Sequence, residues 1–383
     1  MVYDMSLLLP PLSLYIHIPW CLQKCPYCDF NSHLIKTEFS EKKYIQTVLN
    51  DLANDCQQFQ IDRPIQTIFF GGGTPSLFSP ESIAYLIEEI AKMVKINPKI
   101  EITLEANPAT IDYHKFAEFK VAGINRLSIG IQSFNDHQLT QIGRVHNAAE
   151  ALKAIEIAKQ VNFAQLNLDL MFGLPQQTLA DCRNDLYFAC GFQPNHLSFY
   201  QLTIEPNTYF YRFPPQLPHE EIIFKQQEMG QQLLAEYGYQ QYEVSAYSQL
   251  NSQCQHNLNY WQFGDYLGIG AGASGKISVQ LPNQIYRTIK TKHPQAYMNH
   301  QNKTQITTVE KSELPLEFLM NQLRLKAGFS SQQFYQRTGL TIDYLEPNLS
   351  KVIAKGLLIQ QQQHYYCSEK GWQFIETILE QFT

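Results

Sequence analysis

Six short β-type runs, each followed by further chain of largely helical periodicity, restrict the fold of this 383-residue chain more than any other feature. The runs fall at 14–18, 67–70, 101–104, 126–131, 165–170 and 197–202, and the helical stretches between them at 40–59, 80–94, 112–122, 148–160 and 179–192. Start and stop signals agree. Ser79-Pro80-Glu81 opens the second helix, Asn147 precedes the fourth, and Gly123 stands where the third should end. This alternation predicts a parallel sheet covered by helices and joined by right-handed crossovers. Six units are too few for an eight-unit barrel, so the pattern suits an open doubly wound sheet or a partial barrel.

Past Tyr200 the pattern changes. A Pro-rich turn at 212–218 leads to a helix over 219–237, and the glycine-rich run 264–275 fits a ligand-touching loop or a tight turn equally well. The polar stretch 299–308 reads as a linker. Helical segments at 314–326, 331–338 and 343–355, an alternating hairpin at 357–367 and a closing helix at 369–382 predict a small, mainly helical, winged-helix-like unit. The expected division is a first domain over 1–240, a connecting region over 241–304 and a C-terminal domain over 305–383.

Composition narrows the class. Twenty-nine basic against 35 acidic residues give a net charge of −6 and a pI near 6.0, which speaks against a broad nucleic-acid surface. No run approaches the roughly 20 apolar residues of a membrane span, so any membrane contact would be peripheral. The N-terminus lacks the basic stretch of a secretory leader. A cytoplasmic location is expected, where eight cysteines are free or metal-bound rather than paired.

Three of the eight stand together in Cys21-Leu22-Gln23-Lys24-Cys25-Pro26-Tyr27-Cys28, a C-x3-C-x2-C spacing just past the first strand. All-cysteine ligation selects iron–sulfur or zinc over hard cations. Three thiolates hold three irons of a cubane and leave the fourth open to a small molecule, whereas electron carriers close the cluster with four. The competing reading is a structural zinc completed by His17 or His33. Cys56, Cys182, Cys190 and Cys367 lack metal spacing.

Parallel β/α folds bind ligands where their strands end. Gly71-Gly72-Gly73-Thr74-Pro75 follows the second run, Glu105 ends the third, Gln132 the fourth, and Asp169 lies late in the fifth. Glycines admit a ligand close to the backbone. Glu105 and Asp169 can accept from an ammonium or from ribose hydroxyls, and Arg144 can clamp a carboxylate. Each residue also has an ordinary reading, as a helix cap or a surface ion pair. Their shared rim favours a ligand that combines an amino acid with a nucleoside.

The cysteine loop, the Gly-Gly-Gly-Thr-Pro segment and the polar strand ends together resemble the radical SAM superfamily over almost the whole chain. Within it they resemble the branch of the oxygen-independent coproporphyrinogen III dehydrogenase HemN and its heme-chaperone relatives. The resemblance implies an α/β fold, a partial (β/α)6 TIM-like barrel with a small C-terminal helical domain. It implies a 4Fe-4S cluster on Cys21, Cys25 and Cys28, with S-adenosylmethionine chelating the open iron. It implies cofactor contacts at Tyr15, Tyr27, Gly72, Gly73, Thr74, Glu105, Gln132, Arg144 and Asp169.

Two departures from the dehydrogenase stand out. It follows its third cysteine with Gly-Cys where this chain has Asp29-Phe30, and it carries a longer segment ahead of the cluster than the 20 residues here. His256-Asn257-Leu258-Asn259-Tyr260-Trp261 matches the H-N-x-x-Y-W motif of the chaperone side. The resemblance thus implies a protein that binds heme, with His256 as axial ligand, and delivers it to apo-hemoproteins such as respiratory enzymes. An external electron donor would serve its cluster. Radical oxidative decarboxylation of coproporphyrinogen III is the alternative, and whether S-adenosylmethionine is cleaved stays open.

Overall fold

All six expected strands form in this computed structural model, which describes residues 8–35, 40–299 and 304–383. Residues 1–7 of the N-terminal stretch, and 300–303 of the polar stretch read as a linker, lie outside the described residues. The strands are β1 (Leu12–Ile18), β2 (Ile65–Gly72), β3 (Ile96–Ala106), β4 (Arg126–Gln132), β5 (Gln165–Phe172) and β6 (His196–Gln201). They pair in that order, all parallel. Between them run α1 (Glu41–Gln58), α2 (Pro80–Met93), α3 (Tyr113–Val121), α4 (Asp136–Gln141), α5 (Ala148–Val161) and α6 (Leu179–Gly191).

The helices begin where their caps stand. Ser79 accepts from the Ser82 amide ahead of Pro80, and Asn147 and Glu150 form a reciprocal capping box. Gly123 takes a φ of +106°, which turns the chain off α3. One face of the strands packs on the helices through Ile68, Phe70, Leu104, Leu127, Leu168 and Leu197. The alternate positions, among them Thr67, Glu105, Ser128, Asn167 and Asp169, face the barrel interior and are largely polar, with Phe69 and Met171 as apolar exceptions.

The sheet is wider than six strands. After α7 (Glu220–Glu236), β7 (Gln240–Glu243) and β8 (Ala246–Ser248) continue it antiparallel beyond β6. β9 (Asp265–Ile269) joins the opposite edge parallel to β1, followed by antiparallel β10 (Ser274–Val279), β11 (Gln284–Ile289) and β12 (Gln305–Thr308). The spatial order is β12-β11-β10-β9-β1-β2-β3-β4-β5-β6-β8-β7. The end of the stretch read as a linker is therefore an edge strand, as its β-branched Ile306, Thr307 and Thr308 allow. The glycine-rich run is a strand followed by a turn at 270–273, and the segment 241–304 carries β8 to β11 of the large sheet.

The helix α8 (Gln255–Trp261) packs against β1, β2 and β9 and closes the barrel from below. Beyond the sheet, α9 (Leu314–Gln322), α10 (Ser331–Thr338), α11 (Asn348–Ala354) and a small sheet of Phe329–Ser330, Leu358–Gln361 and His364–Cys367 build the C-terminal unit. Its core of Phe318, Phe329, Phe334 and Val352 takes in Phe263 and Ile285 from the large sheet's side. The helix expected over 343–355 divides into a 3-10 turn, Ile342–Leu345, and α11. Pro347 between them has no amide to donate and restrains the residue before it. The closing helix is likewise broken, into Glu369–Gln373, Ile375–Leu379 and the 3-10 turn Glu380–Phe382.

Candidate cofactor site

The cysteine loop leaves β1 at the C-terminal ends of the parallel strands and is pinned by the residues after β2. The Gly73 amide donates to the Ile18 carbonyl at 2.8 Å, and the Thr74 amide to the Trp20 carbonyl at 2.7 Å. A Cβ on Gly73 would lie 2.4 Å from that Trp20 oxygen, and one on Gly72, at φ +114°, would enter the His17 ring. The glycine run thus braces the loop as well as lining the cavity behind it. From the other side, Arg144 donates to Cys25 Sγ at 3.8 Å and to the Gly130 carbonyl at 2.7 Å. The Cys25 thiol donates to the Gly143 carbonyl at 3.7 Å and the Cys21 thiol to the His33 carbonyl at 3.8 Å, while Cys28 Sγ lies 3.7 Å from Ser32 Oγ. Burial pushes the Cys21 and Cys28 thiols up, so both are protonated until a metal arrives.

A cavity of about 400 Å³ opens behind the loop. Cys21, Cys25, Cys28, Tyr27, Gly72, Gly73, Thr74, Glu105, Gln132, Arg144 and Asp169 all line it. Strand register explains the gathering: Glu105 lies opposite Ser128, Gly130 opposite Asp169, and Asp169 opposite Ser198. Glu105 accepts the Gly72 amide at 3.2 Å, and burial together with the nearby charge of Asp169 pushes its carboxyl up to about 8. Asp169 accepts from Ser128 Oγ at 3.0 Å and Asn167 Nδ2 at 2.8 Å, yet burial still raises it. An arriving ammonium would favour the ionised form of both. Gln132 sits at φ +68° and accepts from the Tyr200 hydroxyl at 2.7 Å. Ser128, Ser198, Tyr200, Asn107 and Glu205 line the same cavity and were not singled out from the sequence. The signal for three of them is the period of two that joins Ser128 to Gln132 and Ser198 to Tyr200.

Two expected residues lie elsewhere. The Tyr15 hydroxyl donates to His17 Nδ1 at 2.9 Å, and the side chain lines a separate lateral cleft. His256, 1% exposed, sits on α8 in the barrel floor with its ring stacked on Phe69. Its Nδ1 is 2.7 Å from Thr67 Oγ1 and its Nε2 is 2.9 Å from the Tyr260 hydroxyl. The Thr67 hydroxyl donates to Ser13, so it accepts from Nδ1–H and leaves Nε2 as the acceptor of Tyr260. Burial pushes this imidazole down to about 3 and keeps it neutral. With both nitrogens bonded and the ring sealed, His256 could serve as the expected axial ligand only if its bond to Tyr260 were released.

The zinc alternative also loses His17, whose Nε2 donates to the Asn31 carbonyl at 2.9 Å. Among the described residues no three His, Cys, Asp or Glu side chains converge on one ion position. Cys21, Cys25 and Cys28 line one cavity, and a cubane takes one thiolate to each of three irons, so the donor set fits such a cluster.

Comparison with known proteins places this architecture among radical SAM proteins. Residues 15–189 match the radical SAM superfamily and residues 309–374 the HemN C-terminal domain. The fold follows that of coproporphyrinogen III oxidase (HemN) from Escherichia coli, a radical SAM enzyme, with a TM-score of 0.82 over 98% of this chain and 90% of that one, at 21% identity. The heme chaperone HemW of Haemophilus influenzae is 48% identical, and that of Escherichia coli 46% identical, each over 98% of both chains. The chain belongs to the HemW family.

Proposed function

We propose that the chain is a heme chaperone, which binds heme and releases it to apo-hemoproteins such as respiratory enzymes in the cytoplasm. Identity of 46–48% to proteins named heme chaperone HemW, sustained over 98% of the length, carries this reading. No helix among the described residues is long and apolar enough to cross a membrane.

The barrel mouth fits a 4Fe-4S cluster on Cys21, Cys25 and Cys28 together with S-adenosylmethionine. When bound, the cluster would supply an open iron for the methionyl end of that ligand and a relay for one electron. The chain's own side chains then have defined work. Glu105 receives the ammonium and Arg144 the carboxylate, for which its guanidinium is placed beside the cysteine loop. Asp169 accepts from ribose hydroxyls, while Gly72 and Gly73 keep the wall at backbone thickness. Leu22, Gln23 and Lys24 of the loop are exposed, within reach of an external electron donor.

The test is transfer. Anaerobically reconstituted chain loaded with heme is mixed with an apo-hemoprotein, and the heme spectrum of the recipient is expected to appear as that of the donor fades. Failure of the chain to bind heme, or heme that never leaves it, overturns the reading. Conversion of coproporphyrinogen III to protoporphyrinogen IX would establish the decarboxylase instead.

A further inference from the structure

Behind Asp169 a chain of hydrogen bonds runs from the barrel mouth towards its floor. Asn167 stands two residues earlier on β5, on the same inward face, and is buried. Strand register sets it opposite Ser128 on β4 and His196 on β6. Its Nδ2 donates to Asp169 Oδ1 and to Ser128 Oγ, each at 2.8 Å. The Ser128 hydroxyl passes its own proton on to Asp169 Oδ2 at 3.0 Å. One amide thus reaches both oxygens of the carboxylate, one directly and one through a serine, which fixes its plane.

We propose that Asn167, its amide oriented by His196, is a positioning residue that aims the Asp169 carboxylate at the ribose hydroxyls of S-adenosylmethionine. The proposal rests on the cofactor reading above. The carboxylate offers about four lone-pair directions, and Asn167 and Ser128 take one on each oxygen. A ribose diol presents two O–H donors side by side, a match for the pair of oxygens that faces the cavity.

The amide has only one workable orientation. Turned over, it would set Oδ1 against an ionised Asp169 oxygen with no proton between them. With Nδ2 towards Asp169, Oδ1 needs a donor, and His196 Nδ1 stands 2.6 Å away. Burial and the charge of Arg126 hold this imidazole well below its ordinary range, so it is neutral and only one nitrogen carries a proton. With that proton on Nδ1, Nε2 accepts from the Tyr242 hydroxyl at 2.8 Å, and the Tyr242 oxygen accepts the Cys254 amide at 3.2 Å. Both ends of the Asn167 amide are engaged with protein, so it acts on the ligand through Asp169.

Binding of two ligands to the full reconstituted chain tests this: S-adenosylmethionine, and an analogue without the 2′ and 3′ hydroxyls. The wild type is expected to prefer S-adenosylmethionine roughly tenfold. Asn167→Leu is expected to narrow that ratio several-fold, by weakening S-adenosylmethionine and leaving the analogue unchanged. A merely structural asparagine would weaken both ligands alike. Ser128→Ala removes one arm of the clamp and is expected to narrow the ratio less; it carries the test if Asn167→Leu does not fold. His196→Leu is expected to narrow the ratio, while His196→Gln, whose amide still donates, keeps it. An unchanged ratio in the folded Asn167 or Ser128 variant, equal ratios in the two His196 variants, or a wild type indifferent to the hydroxyls overturns the proposal. A wild type that binds neither ligand overturns the cofactor reading instead.

Discussion

The two ends of one barrel treat buried polar groups in opposite ways. At the floor the charged and imidazole groups close on one another, although the buried Thr103 Oγ1 and Gln165 Oε1 have no hydrogen-bond partner. Arg126 donates twice to the Ser252 carbonyl and reaches Glu101, Glu101 accepts the His256 amide, and His196 joins Asn167 to Tyr242. At the mouth the carboxyls of Glu105 and Asp169 are driven up by burial and face a cavity. A saturated network is structure, whereas a buried acid that faces open space awaits a ligand. The same residue types occur at both ends, so the difference lies in the valences left over.

The largest expected effect breaks the floor. Arg126→Met leaves Glu101 and the Ser252 carbonyl without their partner, and a loss of ~3–5 kcal/mol in urea unfolding is expected. The cluster absorbance of the folded fraction should not change. A cost too small to measure would mean that the floor is not the closed network described.

Gly73→Ala probes the mouth. The new methyl must displace a backbone carbonyl, so a loss of ~1–3 kcal/mol is expected together with reduced cluster loading. Full loading in a destabilised variant would remove the glycine's role as a brace for the cysteine loop.

Glu105 sharpens the contrast through pH. Its carboxyl titrates near 8 in the folded chain, against about 4.3 when unfolded. The folded state thus binds the extra proton between those values, and this group's contribution to stability falls as pH rises through that window. Glu105→Gln is expected to flatten the decline, seen as a smaller drop in Tm of the cofactor-free chain between mildly acidic and mildly alkaline buffer. An unchanged pH profile would contradict the assignment of that proton. The smallest effect belongs to a site outside the comparison. Asn147→Ala removes a capping box and should cost ~1 kcal/mol in thermal unfolding, with heme and cluster spectra untouched.

The barrel and its mouth were readable in the sequence because each signal was local. Alternating strands and helices, caps such as Asn147, and polar residues at strand ends depend on a few neighbours in the chain. The floor depends on α8 meeting β2 across 189 residues, between His256 and Thr67, and no local pattern reports which nitrogen that contact consumes. The extra strands β9 to β12 were hidden by glycine-rich and polar composition, whose pairing comes from the edge of β1 rather than from their own propensity. Tyr15 is expected among the cofactor contacts from the resemblance alone, while its hydroxyl turns to His17 and its ring lines the lateral cleft.

A cluster on Cys21, Cys25 and Cys28 would leave one iron open at the barrel mouth. Electron paramagnetic resonance of the reduced, reconstituted chain, with and without S-adenosylmethionine, reads that iron directly. The account predicts that the ligand changes the cluster's g-values and that Glu105→Gln needs a higher concentration for the same change. Identical spectra with and without saturating S-adenosylmethionine would contradict it.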